Sequence, residues 1–288
     1  MIRRLVEARQ NVNDSDDNDM NEALDLLGEV LYLQGSYAKA ERLQRRAFES
    51  RRRILGHEHY DTLQSMNSLA LTYFDQGRLK KAEELQVQVV ETRKRVLGHE
   101  HPDTLNSIGN LALTYYGQER LKEAEELGVQ VTETMKRVLG HEHPDTLISI
   151  SNLALTYYGQ ERLKEAEELG VQVTETRKRV LGHEHPDTLI SISNLASTYY
   201  DQGRLKEAEE LGVQVTETMK RVLGDEHPET LNSMFNLAWT YSKQERLKEA
   251  EKLHVQVVET RKRVLGDEHP LTQKVMDALA RTRKFLTS

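Results

Sequence analysis

Apolar positions along this chain recur at helical spacing. Leu105, Ile108, Leu111, Ala112 and Tyr115 share one face of a helix read at 3.6 residues per turn. His101-Pro102-Asp103-Thr104, just ahead of them, is a start signal. Proline suits a first turn, and an acidic residue there meets the positive end of the helix dipole. Gly117-Gln118-Glu119-Arg120 predicts a turn. A second helix follows on Leu121, Ala124, Leu127, Val131, Val138 and Leu139, and Gly140 is placed to end it in a left-handed cap. Glu133 and Arg137 stand at i,i+4 in the favourable acid-first order and are expected to pair.

The same two-helix pattern returns every 42 residues. Leu-Gly pairs fall at Leu55-Gly56, Leu97-Gly98, Leu139-Gly140, Leu181-Gly182, Leu223-Gly224 and Leu265-Gly266, and Ala40, Ala82, Ala124, Ala166, Ala208 and Ala250 keep the same step. Asn106–Leu147 and Ile148–Leu189 differ at only three of 42 positions: Asn106/Ile148, Gly109/Ser151 and Met135/Arg177. A two-helix unit cannot bury its apolar faces alone, so such units must stack into a solenoid. The expected organisation is a single array of six repeats, 20–56, 60–98, 102–140, 144–182, 186–224 and 228–266. Ahead of it, 1–12 aligns with the second half of a truncated repeat, joined by the link Asn13–Asp19. Residues 270–288 align with a lone first helix able to cap the array.

These residues resemble the tetratricopeptide repeat. Leu111, Ala112 and Tyr115 followed by Ala124 match that family's small/large alternation where helices cross. The 42-residue period and the link from Leu139 to Leu147 (Leu-Gly-x-x-His-Pro-Asp-Thr-Leu) resemble the kinesin-light-chain type, and still more the near-identical arrays that end fungal NLR-like (STAND) proteins. The resemblance implies an all-α, right-handed α-α superhelix, a concave groove lined by first helices, and a sensor or scaffold role within a larger protein. One departure is that the family's aromatic four residues after the second-helix Ala is Gln86, Gly128, Gly170, Gly212 or His254 here.

Composition agrees with an elongated, surface-rich molecule. Of 288 residues, 37% are hydrophobic and 30% charged, with a net charge of −7, one Trp, 11 Tyr and 4 Phe. The absence of Cys excludes disulfides, thiolate metal sites and a cysteine nucleophile. No apolar run reaches the roughly 20 residues that span a bilayer, and the opening MIRRLVEARQ lacks a signal-peptide core. Lys and Arg interleaved with Glu do not favour nucleic acid. A cytoplasmic protein that engages neither membrane nor nucleic acid is expected.

Comparison of the copies separates frame from variation. In the second to sixth repeats Leu111, Ala112, Thr114 and Tyr115 are invariant in their columns. Variation in first helices gathers in five columns: Gln64/Asn106/Ile148/Ile190/Asn232, Asn67/Gly109/Ser151/Ser193/Phe235, Leu71/Leu113/Leu155/Ser197/Trp239, Phe74/Tyr116/Tyr158/Tyr200/Ser242 and Asp75/Gly117/Gly159/Asp201/Lys243. At i, i+3, i+7, i+10 and i+11 they form one stripe about 100° wide. A fixed frame with one free face predicts a recognition surface for an extended peptide or protein. Beside it runs a column of Asn110, Asn152, Asn194 and Asn236. A carboxamide both donates and accepts, so such a column can bracket a ligand's peptide groups; alternatively each Asn bonds a neighbouring helix and serves packing. The expected peptide-binding set is this column with Leu113, Leu155, Tyr116, Tyr158, Tyr200, Phe235 and Trp239. Phe235 and Trp239, beside the small Ser242, predict a shaped apolar pocket; packing of the pair on the last helix around Val275 and Met276 is the competing reading.

Other signals carry less. His57/His59, His99/His101, His141/His143 and His183/His185 form His-x-His pairs, but no carboxylate or Cys completes a metal site within one link, and helix entry explains them. Asp14, Asp16, Asn18 and Glu22 loosely mimic a calcium loop without its Gly, and Asn13-Asp14-Ser15 fits a glycosylation sequon. No acid/base pair, nucleophile or phosphate loop converges, so neither an enzyme nor a cofactor is expected. The alternative to a binding module is a structural spacer or a self-assembly rod, for which the N-terminal half-repeat offers an edge for self-association.

Overall fold

A computed structural model describes residues 18–287. Among them are thirteen α-helices and no strand: α1 (Asn18–Leu33), α2 (Tyr37–Ile54), α3 (Tyr60–Asp75), α4 (Leu79–Val96), α5 (Pro102–Gly117), α6 (Leu121–Val138), α7 (Pro144–Gly159), α8 (Leu163–Leu181), α9 (Pro186–Asp201), α10 (Leu205–Leu223), α11 (Pro228–Lys243), α12 (Leu247–Leu265) and α13 (Pro270–Thr287). The expected half-repeat 1–12, the sequon, and Asp14 and Asp16 of the calcium-like run lie outside the described residues. Asn18 and Asp19, expected in the link, begin α1 instead.

The chain divides into two compact units at Asn152/Leu153, within α7. In the first, α1 packs on α2, α2 on α3, and so on in chain order to α6. In the second, the same order runs from α8 to α13. Sequential packing of helix pairs makes each unit a solenoid. Val90 of α4, Leu105, Ile108 and Leu111 of α5, and Val131 and Met135 of α6 form one cluster, so a first helix is buried between two second helices. The Ala column from Ala40 to Ala250 is 0–3% exposed, which is why nothing larger stands there.

Local chemistry sets the helix ends. His59, His101, His143, His185, His227 and His269 each accept the backbone N–H two residues on through Nδ1, at 3.2–3.3 Å. The second His of each His-x-His pair is therefore a helix cap. Gly140 has φ 93°, and Gly182, Gly224 and Gly266 combine φ 92–94° with ψ 162–163°, an extended mirror-image conformation rather than the left-handed helical cap expected. The turn between helices needs φ near +60 to +77°; Gly35, Gly77 and Gly203 supply it, whereas Glu119, Glu161 and Glu245 are forced into it.

The expected Glu133–Arg137 pair does not form. Glu133 accepts from Lys136 at 3.0 Å, and Arg137 reaches back to Glu100 at 2.6 Å and 3.0 Å. The step from one repeat to the next brings these two within reach, and a bidentate guanidinium–carboxylate contact outcompetes a single i,i+4 contact. Arg95–Glu58 and Arg221–Glu184 repeat the arrangement.

Candidate partner-binding face

The invariant Tyr column is held on the frame. Arg78, Arg120, Arg204 and Arg246 lie 4.3, 3.9, 4.0 and 4.1 Å from the ring centres of Tyr73, Tyr115, Tyr199 and Tyr241. Each guanidinium also meets a carboxylate of the preceding second helix, as Arg120 meets Glu83 at 2.7 Å and Arg204 meets Glu167 at 2.6 Å. Cation–π and charge-assisted contacts lock neighbouring repeats and use up these groups. Recognition falls to the variable columns.

Not all five columns are free. The first serves the core at Gln64, Ile190 and Asn232, whereas Ile148 is 48% exposed. Arg93, 2% exposed, donates to Ser107 Oγ at 2.7 Å, to the Asp103 carbonyl at 2.9 Å and to Gln64 Oε1. Arg261 donates to Asn232 Oδ1 at 2.7 Å. Where the buried residue is Met219, Ile190 packs beside it. A buried guanidinium needs acceptors, so these column-one residues complement the interior.

The last two columns pair between neighbouring repeats. Tyr32 donates its hydroxyl to Asp75, and Tyr158 donates to Asp201. Lys243 donates to the Tyr200 carbonyl at 3.2 Å, with its ammonium 4.3 Å from that ring centre. A Cβ at Gly117 would approach the Phe74 ring to 3.2 Å, so the ring packs over bare backbone. Tyr116, Tyr158 and Tyr200 are half-buried, and burial lifts the Tyr116 and Tyr200 phenols above their ordinary range, keeping them neutral.

In the Asn column, Asn110 donates to Asn67 Oδ1 at 3.3 Å and Asn236 to Ser197 Oγ at 3.4 Å. These long bonds run to neighbouring first helices and leave lone pairs and a second N–H on each amide. Asn194 and Asn236 are exposed, whereas Asn110 and Asn152 are half-buried. Leu113 is half-buried and Leu155 is 38% exposed.

The second unit holds a cavity of about 370 Å³. Ser193, Ser197 and Tyr200 of α9 line it, with Phe235, Asn236 and Trp239 of α11 and Lys274 of α13. Phe235 and Trp239 meet edge to face, ring centres 6.1 Å apart at 83°. Phe235 also joins a buried cluster with Val275, Ala278 and Leu279, against which Trp239 and Met276 pack. The aromatic pair thus serves both the cavity and the seat of α13. Lys274 was not foreseen because its column is filled by Asn232 and Ile190 in earlier repeats. His254, which touches both rings at 5.6 Å and 5.8 Å, was visible only as an odd substitution for Gly.

The tetratricopeptide repeat family model matches residues 19–95, 67–137, 172–221 and 191–263, and a second model of that repeat matches 146–187. The chain belongs to the tetratricopeptide repeat family. Among solved structures, this tetratricopeptide array is similar to the kinesin light chain-like, nearly identical TPR-like repeats of Podosopora anserina, at 36% identity over 72% of this chain and 99% of that one, TM-score 0.58. It is similar in fold to a STAND protein with a tetratricopeptide repeat sensor from Pyrococcus horikoshii, at 17% identity over all of this chain and 41% of that one, TM-score 0.61. It is also similar in fold to NprR in complex with its cognate peptide NprX, at 15% identity over 98% and 84% of the two chains, TM-score 0.63. No curated protein matches the chain. The matching family models are of a repeat and indicate no enzymatic family, and none of the helices searched is long and apolar enough to cross a membrane.

Proposed function

We propose that this tetratricopeptide array is a peptide-recognition module, the cytoplasmic sensor or scaffold region of a larger NLR-like protein. An extended partner segment lies on the first-helix face of residues 153–287 and seats one uncharged apolar side chain between Tyr200, Phe235 and Trp239. The exposed Asn194 and Asn236 take its peptide groups, and Leu155 and Tyr158 flank it. In the first unit, Asn110, Asn152, Leu113 and Tyr116 offer the corresponding face. The cavity is the observation that carries this reading. It lies where the columns depart from their consensus, with Ser197 in place of Leu113 or Leu155 and Phe235 and Trp239 one repeat on. Buried Trp and Tyr in such pockets dominate binding energy. The fold shared with NprR, which holds a peptide, and with a STAND sensor lends support.

Selection from a displayed random-peptide library tests it. Retained peptides should share an apolar residue and lose about tenfold or more affinity to Ser197→Leu, which fills the cavity with the side chain other repeats carry. If no peptide is retained, or if Ser197→Leu binds as the parent does, the array is a spacer or an assembly rod.

A further inference from the structure

His254 is fully buried in α12, between the Phe235 and Trp239 rings and the last helix. The Thr282 hydroxyl of α13 lies 3.2 Å from His254 Nδ1 and donates to the Ala278 carbonyl at 3.0 Å. With that hydrogen committed, Nδ1 is the nitrogen that carries the proton and donates to Thr282. Nε2 is left as a bare lone pair, buried, with no hydrogen-bond partner among the described residues. The charged groups bordering this cluster offer it no acceptor. Arg261 of α12 and Lys274 of α13 lie 5.9 and 5.8 Å from the Phe235 ring centre. Glu229 of α11 faces Arg261, and Glu251 of α12 is paired with Arg283 of α13 at 2.7 Å.

We propose that His254 is an acid-sensitive latch: a proton on Nε2 puts an unsolvated charge between Phe235 and Trp239, unseats α13 and opens the wall of the cavity. Only the consequence for a bound partner rests on the peptide-recognition reading; the opening itself does not. Burial pushes the imidazole down to about 4, so the neutral form is the one the fold holds. Opening exposes Nε2 to water and restores its ordinary affinity for a proton. Acid therefore favours the open state from the ordinary histidine range downward. The chain supplies its own control. In the same column, Gln44 Oε1 accepts from the Thr72 hydroxyl at 2.6 Å, so an amide fits against the next helix's Thr without a titratable group.

The test compares the full chain with His254→Gln from pH 7 to 3.5, without ligand, reading Trp239 emission and amide exchange over residues 270–287. The parent should show a red shift and about tenfold or greater loss of protection in α13. The variant should hold both to a midpoint about one unit lower. Carboxylate pairs such as Glu251–Arg283 are present in both proteins, so coincident midpoints would overturn the latch. Imidazole NMR shifts of the parent provide a second measurement that does not depend on the variant folding: a His254 that titrates at its ordinary value while α13 stays protected also overturns it. Peptide affinity at pH 7 is scored separately, so an array that opens in acid yet retains no peptide loses the recognition reading and keeps the latch.

Discussion

The Arg261 guanidinium donates to Asn232 Oδ1 at 2.7 Å, joining a buried second-helix residue to a first-helix position 29 residues earlier. One repeat before, Met219 and Ile190 fill the same two places. The two pairs are alternative solutions of one interior site: Arg177, with Ile148 at the equivalent place, is held by Ser191 Oγ, whereas Arg261 has Val275 there and depends on Asn232. Asn232→Ile should therefore cost about 2 kcal/mol by orphaning a buried guanidinium N–H. Adding Arg261→Met should recover most of it, because the double variant reproduces the Ile190/Met219 pair. Urea unfolding of the four proteins of the cycle measures this; additive losses would mean the two side chains are not coupled.

Glu119 and Glu161 occupy a left-handed turn position, at φ 62° and 60°, where Gly77 and Gly203 stand in other repeats. An L side chain pays about 1–2 kcal/mol for this conformation, partly offset by the greater chain entropy of glycine. Glu119→Gly and Glu161→Gly should each stabilise the array by up to about 1 kcal/mol. Thermal melts of the single and double variants check it, and unchanged or lower midpoints would contradict it.

Glycine inside α8 and α10 offers a paired comparison. A Cβ at Gly170 would stand 3.5 Å from Leu195 Cδ1, an ordinary contact, whereas one at Gly212 would stand 3.2 Å from Leu237 Cδ1. Gly170→Ala should stabilise by about 0.5–1 kcal/mol through helix propensity. Gly212→Ala should gain less or lose, since Leu237 must give way. Equal gains at both sites would show that Leu237 yields freely.

The Glu209 carboxyl is held below its ordinary range, chiefly by the hydrogen bond from Arg246. A depressed carboxylate stabilises the fold above its unfolded value, and that stability is lost as pH falls through the folded value. Arg246→Met removes the donor, so stability should vary less with pH in the acid range below about 4.5 than in the parent. Both side chains are partly exposed, which keeps the effect modest. Denaturant midpoints taken from pH 3 to 6 decide it: parallel profiles would rule out the pair as a source of acid lability.

The sequence by itself determined the period, the two-helix unit and the order of stacking. An amphipathic helix pair has an apolar face to bury, and in a tandem array the nearest face to bury it against is that of the next copy. Helix entry at His-x-His and the turn at Gln118-Glu119 were legible for the same reason: they depend on backbone groups a few residues apart. The tertiary structure decided which variable residues are spent on neighbouring repeats. Arg137 chose Glu100 over Glu133, Tyr158 gave its hydroxyl to Asp201, and Asn232 turned to Arg261. Those partners lie 37, 43 and 29 residues apart, and periodicity within a helix says nothing about reach between helices. The cavity was half legible, in Trp239 and Phe235, because aromatic gains show in aligned copies. Its floor at Ser197 and the stranded Nε2 of His254 were not, since an empty volume and an unmet hydrogen bond exist only once α9, α11, α12 and α13 have packed.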